Sequence, residues 1–254
     1  MTNILPPSKL NFVIHGNLTE NEAILHEHSV GQLLYAEKGV LHIEYADKKI
    51  LLPAQYCSWI PPFSVHRLWS SSSDIFIRGI YFESHFCKNK VFSTSAVFPL
   101  SNVLKEMIRY TAKWHNHTEN SDYENTFIKC VRQMLPDEIA AAVKLEIPVT
   151  GHPLLSRILN YIAENIQNEI RIQGIGELFG ISGKTLHRLF VKELGLSFSI
   201  YLMFFRVMKA IELLNEGNHS VKEVTYLVGY NSIPSFSSIF KQVTGANPQS
   251  FIKK

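Results

Sequence analysis

The hydrophobic pattern changes period partway along the chain. Between Leu33 and Phe82 apolar residues come in short blocks or alternate with polar ones: Leu33-Leu34-Tyr35-Ala36, Leu41-His42-Ile43-Glu44-Tyr45, Ile50-Leu51-Leu52, Tyr56 to Ile60, and Ile75 to Phe82. Gly39, Ala46-Asp47-Lys48, Pro53, Pro61-Pro62 and the Ser70 to Asp74 run separate them. Short strands spaced in this way predict a sandwich or barrel. The repeat then lengthens. Leu100, Val103-Leu104, Met107-Ile108 and Thr111, and later Phe127-Ile128, Val131 and Leu135, recur at the spacing of one helix face. Two amphipathic helices are expected there, with a polar loop at Trp114 to Asp122. Prolines and a glycine between Glu146 and Pro153 mark the main domain boundary.

From Leu154 the period stays helical, beginning with Leu155, Ile158, Ile162 and Ile166. A helix-turn-helix layout follows twice. In the first copy Ile175 to Phe179 leads into Gly180, suited to the left-handed turn that ends a helix, and Ser182 can cap the next one. Leu186, Leu189, Phe190 and Leu194 form the inner stripe of that next helix, which puts Lys184, His187 and Arg188 together on its outer face. The second copy lies 49 residues further on, from Gly180 to Gly229. Ser220 and Glu223 form a capping box, Val221, Val224 and Leu227-Val228 are expected inside, and Gly229-Tyr230-Asn231 makes the turn. Ser232 caps a last helix with Pro234 in its first turn, Phe236, Phe240 and Val243 facing in, and Pro234, Ser235, Ser238 and Lys241 facing out. Phe198 to Asn215 reads as one long helix joining the copies, with Tyr201, Leu202, Phe205, Met208 and Leu213 available for packing. Two recognition helices about 34 Å apart can enter successive major grooves on one face of B-DNA.

Composition narrows the classes without choosing among them. The chain has 254 residues, 46% hydrophobic and 19% charged, which excludes disordered, collagenous and disulfide-scaffold proteins and favours two domains. Its net charge of +3 is unevenly spread, about −1 up to Gly151 and +4 from His152 onward, so the basic excess sits with the helix-turn-helix copies. Cys57, Cys87 and Cys130 lack metal-ribbon spacing and are expected as reduced thiols. Met1 to Phe12 carries no export signal and no run of about 18 apolar residues occurs, which predicts a cytoplasmic protein.

Eight of the 11 histidines precede His152, and three of them carry candidate chemistry. On a strand His26-Glu27-His28 would aim both imidazoles at one face, and His66 from a neighbouring strand could join them. The order HxH, then Gln32, then His66 resembles the cupin motifs, in which two histidines, a Glu and a later His hold a divalent metal. Here Gln32 fills the Glu position, and Gln55 and Phe63 stand where the second motif has glycines, although Pro61 and His66 match. An amide oxygen is a weaker donor than a carboxylate, so the resemblance supports the fold more than a metal cofactor. The other reading keeps His26, His28 and His66 hydrogen-bonded inside the barrel or lining an effector pocket. Tyr35, Tyr45, Phe76 and Tyr81 could line that pocket or fill it, and Trp59 and Trp69 are expected in the core or pocket wall.

The region from His152 to Phe251 resembles the AraC/XylS transcription regulators. The resemblance rests on Leu178, Gly180-Ile181-Ser182, Leu186, Arg188-Leu189-Phe190, Gly195, Ser197-Phe198, Tyr201, Arg206, Val228-Gly229-Tyr230, Phe236, Phe240-Lys241, Gly245, Pro248 and Phe251. It implies an α+β chain with a cupin-like effector-sensing β-barrel at 1–98, a helical linker at 99–151 and an all-α double helix-turn-helix domain at 152–254. Base-reading positions then map to Lys184, His187 and Arg188, and to Ile233, Pro234, Ser235 and Ser238. Arg188 is the strongest of these, because a guanidinium can contact guanine O6 and N7 together; the competing reading is a surface ion pair with Glu177 or Glu193. Lys184 and Thr185 are expected against bases or phosphates, and Lys241 with the serines against phosphates. The second helix offers less sequence readout, since Ile233 and Pro234 bring no donor. Gly176, where relatives usually carry Ala, is expected to loosen its helix by up to about 1 kcal/mol. The resemblance further implies promoter DNA, RNA polymerase and an unknown small molecule as partners, and a homodimer through the central helices. A metal-dependent cupin oxygenase or isomerase is the alternative; a binding protein without DNA activity, indifferent to loss of Lys184 and Arg188, is the third reading.

Overall fold

A computed structural model of the chain describes residues 11–252 apart from 19, 71, 73 and 115–119. The reading of the N-terminal segment up to residue 10, most of the loop expected at Trp114 to Asp122 and part of the Ser70 to Asp74 turn therefore lie outside the described residues. Contacts divide the chain into two compact units, Met1–Ala46 with Ile50–Lys144, and Asp47–Lys49 with Leu145–Lys254.

The first unit holds β1 (Phe12–Gly16), α1 (Glu20–Ala23), β2 (Val30–Lys38), β3 (Val40–Glu44), β4 (Lys48–Pro53, whose first two residues group with the second unit), β5 (Tyr56–Ile60), β6 (Arg67–Trp69), β7 (Phe76–Glu83), β8 (Ala96–Pro99), α2 (Asn102–Tyr110) and α3 (Asp122–Ile139). Every strand read from the alternating blocks is present; β1, β6 and β8, short or irregular in pattern, were not legible. A five-stranded sheet runs β1-β7-β2-β5-β8, and β6, β3 and β4 lie side by side in a second sheet. The central strand β2 is antiparallel to both neighbours, pairing Gln32 with Ile60 on one side and with Tyr81 on the other.

Side chains from the five-stranded sheet meet the helices in one core. Leu33, Tyr35, Trp59, Ile80, Phe82 and Phe98 pack with Leu104 and Ile108 of α2 and Ile128, Val131 and Leu135 of α3. Fully burying each such apolar side chain contributes roughly 1.5–3 kcal/mol. The two helical stripes are thus used within the unit, and Trp59 is core, its indole N–H donating to the Phe92 carbonyl at 3.0 Å. Val103, Tyr110 and Tyr123 remain exposed on the other side of α2 and α3.

Two residues of this unit occupy backbone that usually belongs to glycine. Gln55 has φ 71° and Phe63 φ 59°, and among the described residues only these two non-glycines have positive φ. They are the positions where the sequence departs from the glycines of the cupin pattern, and both side chains sit on the left-handed backbone that glycine adopts readily. Gln55 is anchored there, its side chain donating to the Glu37 carbonyl and accepting from the Tyr35 hydroxyl, both at 3.0 Å.

The second unit contains β9 (Glu146–Pro148), then α4 (Pro153–Glu164), α5 (Ile172–Leu178), α6 (Gly183–Leu194), α7 (Phe198–Glu216), α8 (Val221–Leu227) and α9 (Ile233–Thr244). Lys48 pairs with Glu146 at 2.8 Å beside the Val149 amide, which donates to the Asp47 carbonyl at 2.8 Å. Among the described residues no single helix is long and apolar enough to cross a membrane.

The caps expected from the sequence are formed. Ser182 accepts from the Thr185 amide, Ser232 from the Ser235 amide, and Ser220 and Glu223 complete their box. Such caps contribute typically about 1 kcal/mol each. Phe190 of α6 packs edge-on against Phe198 and Tyr201 of α7, and Phe240 of α9 packs on Phe236 and Phe251. One inward assignment fails. The buried stripe of α8 continues through Val224, Thr225 and Val228, which turns Leu227 to the edge, 41% exposed.

Candidate functional site

The two helix-turn-helix copies share a plan and differ by one residue in the turn. Gly180 and Gly229 take left-handed backbone, φ 70° and 82°, as the close of α5 and α8 requires. The capping serine follows two residues after Gly180 but three after Gly229. In the first copy the shorter turn passes directly over Gly176: a Cβ there would lie 2.6 Å from the Ile181 carbonyl oxygen and 3.1 Å from the Gly183 nitrogen. The equivalent position in the second copy is Thr225, fully buried, its hydroxyl donating to the Val221 carbonyl at 2.7 Å. Gly176 is therefore the residue that lets the tight turn form, and the expectation that it merely loosens the helix is replaced by a steric requirement.

Lys184, Thr185, His187 and Arg188 are all exposed on α6. Thr185 shares its hydroxyl with Ser182 at 2.9 Å. Glu193 pairs with Lys192 at 3.3 Å, and Arg188 makes no ion pair among the described residues, so its guanidinium is presented to solvent. On α9 Pro234, Ser235, Ser238 and Lys241 are exposed and Ile233 is half-buried. The outer face of α6 thus carries Lys184, Arg188 and an imidazole, with the Glu193-paired Lys192 one turn further on, whereas that of α9 carries one cation and hydroxyls.

Arg206 of α7, which the sequence offered only as part of the family pattern, ties these elements together. Its Nη2 donates to the carbonyls of Ile166 and Asn168, at 3.3 and 3.0 Å, just beyond the C-terminus of α4. The same guanidinium lies over the ring of Tyr230, 5.5 Å from its centroid, in the turn of the second copy. Burial lowers its pKa while leaving it a cation.

In the first unit His26, His28, Gln32 and His66 come together. The strand reading of HxH needs correction: His26 sits in an isolated bridge with His66, and His28 lies in the segment before β2 begins at Val30. The imidazoles converge all the same, with ring centroids 4.4 Å apart for His26 and His66 and 5.1 Å for His28 and His66. Each ring donates Nδ1–H to a nearby carbonyl, His26 to Ile24 at 2.9 Å, His28 to Val30 at 2.7 Å and His66 to Ser64 at 2.7 Å. In a neutral ring held this way Nε2 is the nitrogen that carries the lone pair. Burial pushes His66 down to about 3 and lowers His28, which keeps both neutral at ordinary pH.

Gln32 and Tyr81 complete the group. Gln32 Oε1 lies 3.1 Å from His28 Nε2, and Gln32 Nε2–H donates to the Tyr81 hydroxyl at 2.8 Å. Tyr81 is thus part of the site, while Tyr35 is fully buried core. Trp69 stacks on His42 at 3.8 Å. The residues fit the divalent metal that the cupin pattern implies: a ligand nitrogen of each of the three histidines lies within 4.8 Å of the others, and the buried His66 Nε2 has no hydrogen-bond partner among the described residues. Carbonyl-anchored Nδ1–H groups are also the usual orienting contacts of metal-bound histidines.

Comparison with known proteins places both units. Residues 12–96 match the family described as AraC-like ligand binding domain, and residues 175–254 match the helix-turn-helix domain family. The chain is 26% identical to the HTH-type transcriptional regulator NimR of Escherichia coli, over 96% of this chain and 87% of that protein. It is 24% identical to the HTH-type transcriptional regulator YfiF of Bacillus subtilis, over 97% and 85%. Among solved structures, the C-terminal domain of AraT, a response regulator from Geobacillus stearothermophilus, is 30% identical over 39% of this chain and 83% of that chain, with a TM-score of 0.38. Both families and both full-length relatives are of regulators, and nothing in them supports a cupin oxygenase or isomerase. A ligand-binding domain of one kind followed by a helix-turn-helix domain of the other is the arrangement of AraC-type transcriptional regulators, and the chain belongs to that family.

Proposed function

We propose that this regulator reads its promoter chiefly through α6, with Arg188 and Lys184 contacting base edges or phosphates, Thr185 and His187 beside them, and α9 positioning the protein through Pro234, Ser235, Ser238 and Lys241 with van der Waals contact from Ile233. The observation that carries this reading is the exposed α6 face, where Arg188 makes no ion pair among the described residues that it would have to break before it meets DNA. Uncommitted guanidinium donors on a capped recognition helix suit guanine, whereas hydroxyls and a single lysine suit phosphate oxygens.

The N-terminal domain senses an effector at His26, His28, Gln32 and His66. A divalent metal held there would supply a Lewis-acidic point for a small molecule. Effector binding can change DNA binding only through a difference in affinity between two arrangements of the protein. Tyr110 and Tyr123, whose hydroxyls are 2.9 Å apart on the exposed side of α2 and α3, offer a face for a homodimer. The protein acts in the cytoplasm, on promoter DNA and with RNA polymerase. The domains responsible are 1–98, 99–151 and 152–254.

Selection from a randomised DNA pool at two salt concentrations tests the reading. Recovery of a motif with two half-contacts about one helical turn apart is expected. Retention without sequence preference, with steep salt dependence alone, would count against specific readout.

A further inference from the structure

The fourth position of the histidine site has an electrostatic problem as it stands. With Nδ1–H of His28 committed to Val30, its Nε2 is an acceptor, yet it faces Gln32 Oε1, another acceptor, at 3.1 Å. At its other end the amide N–H donates to the Tyr81 hydroxyl at 2.8 Å. Nearby, the Nε2 of His66 is buried with no hydrogen-bond partner among the described residues. Acceptor atoms of His28, Gln32 and His66 thus lie together in residues no more than 4% exposed, and among the described residues no donor reaches the His66 nitrogen. Buried acceptors without a donor are unfavourable, and a cation is what this arrangement accommodates.

We propose that Gln32 is the fourth ligand of a divalent transition-metal ion held by His26, His28 and His66, a neutral amide oxygen in place of a carboxylate. The Gln32 to His28 separation supports this directly. Two ligand atoms on an ion with bonds of about 2.1 Å lie about 3.0 Å apart at a right angle and about 3.4 Å apart at the tetrahedral angle, and the 3.1 Å found falls in that range. Three imidazoles and an amide leave the whole charge of the ion uncancelled. The site therefore binds more weakly than one with a carboxylate and exchanges its metal, as a sensor requires and a structural site does not. Imidazole donors select zinc, nickel, copper or cobalt over magnesium and calcium.

The same geometry makes Gln32 an indicator of occupancy. Without the ion, turning the amide relieves the contact: its N–H2 then donates to His28 Nε2 and its oxygen accepts from the Tyr81 hydroxyl. Metal binding reverses the direction of the Gln32–Tyr81 hydrogen bond. That change is delivered to β7, which β2 pairs along its length.

This inference deepens the sensor reading of the N-terminal domain, but metal binding is measured without DNA, so either can fail while the other stands. The full-length chain, stripped with a chelator, is titrated with Co2+ and followed by visible absorption, with metal content measured after gel filtration. One Co2+ per chain is expected, with about 100-fold weaker binding in His28→Asn and His66→Asn. Gln32→Glu should bind about 10-fold tighter and shift the absorption bands, and Gln32→Leu about 10-fold weaker. No bound Co2+ overturns the site. Equal affinity and identical bands in wild type, Gln32→Glu and Gln32→Leu overturn the role of Gln32. Should the histidine variants not fold, the wild type decides: zinc must raise its thermal midpoint at concentrations where magnesium and calcium do not.

Discussion

The backbones of His26 and His66 bond to each other in both directions, each amide donating to the other's carbonyl at 2.9 Å. This bridge stands outside the named strands, and it brings two imidazoles from distant parts of the sequence into contact. Because the main chain makes the bridge, replacing either ring leaves the bridge's own two hydrogen bonds available. The site can therefore be taken apart one side chain at a time.

Acid is one way to probe it. Burial holds His66 at about 3 and lowers His28, so between about pH 6.5 and 3 the unfolded chain binds protons that the folded chain does not. The stability of the metal-free protein is at its full value above that window and falls as pH drops through it. His66 is faced by His26, His28 and Tyr45, and His66→Asn removes the largest single contribution, so its stability should fall less between pH 7.5 and 5. Urea midpoints at the two pH values measure this; equal losses in the two proteins would contradict it.

Phe63 is a place where the fold is strained. It is 65% exposed, so its ring contributes little burial, while a side chain in left-handed backbone costs about 1–2 kcal/mol. Glycine removes that strain and adds about 0.5–1 kcal/mol of unfolded-state entropy. Phe63→Gly should therefore raise stability by roughly 0.5–1 kcal/mol in denaturant titration. Gln55→Gly should show no such gain, because it gives up the bonds to Tyr35 and Glu37.

Gly176→Ala tests the tight turn. Helix propensity alone would make alanine better by about 1 kcal/mol. The new Cβ, however, would stand 2.6 Å from the Ile181 carbonyl oxygen, which is backbone and not a movable side chain. Overpacking of this kind costs about 1–3 kcal/mol, so a net loss of stability is expected, together with weaker DNA binding as α6 shifts. A stabilised variant would show that the turn opens freely.

Arg188→Ala separates recognition from folding. The residue is exposed and makes no intramolecular ion pair among the described residues, so the thermal midpoint should stay within a degree or two (about 0.5 kcal/mol). Affinity for the selected operator should fall by about 1–3 kcal/mol, and the base preference beneath α6 should relax. Ser238→Ala, at the matching position of α9, should cost less than half as much. Equal losses at the two positions would remove the proposed asymmetry between the helices.

Much of this protein was decided by local sequence. The change from alternating to helical period, the capping serines at 182, 220 and 232, and the turn glycines at 180 and 229 each act over a few residues, through side-chain alternation, cap hydrogen bonds and left-handed backbone. These features were sufficient to specify two helix-turn-helix copies and the outward face of α6. The histidine spacing likewise named three side chains that meet in the N-terminal unit.

Other features depend on atoms distant in sequence. Tyr81 joins Gln32 because β7 pairs with β2, and no local pattern marks it. His26 and His28 converge through a backbone bridge and not through strand alternation. Gly176 looked like a weak helix residue until the turn above it was placed, and Arg206 acquired its role only when the end of α4 and the turn at Tyr230 were brought to it. The physical reason is common to all four. Caps and periodicity are satisfied within one turn of chain, whereas steric clearance, the partner of a buried polar atom and the meeting of ligand lone pairs are properties of segments that only folding brings together.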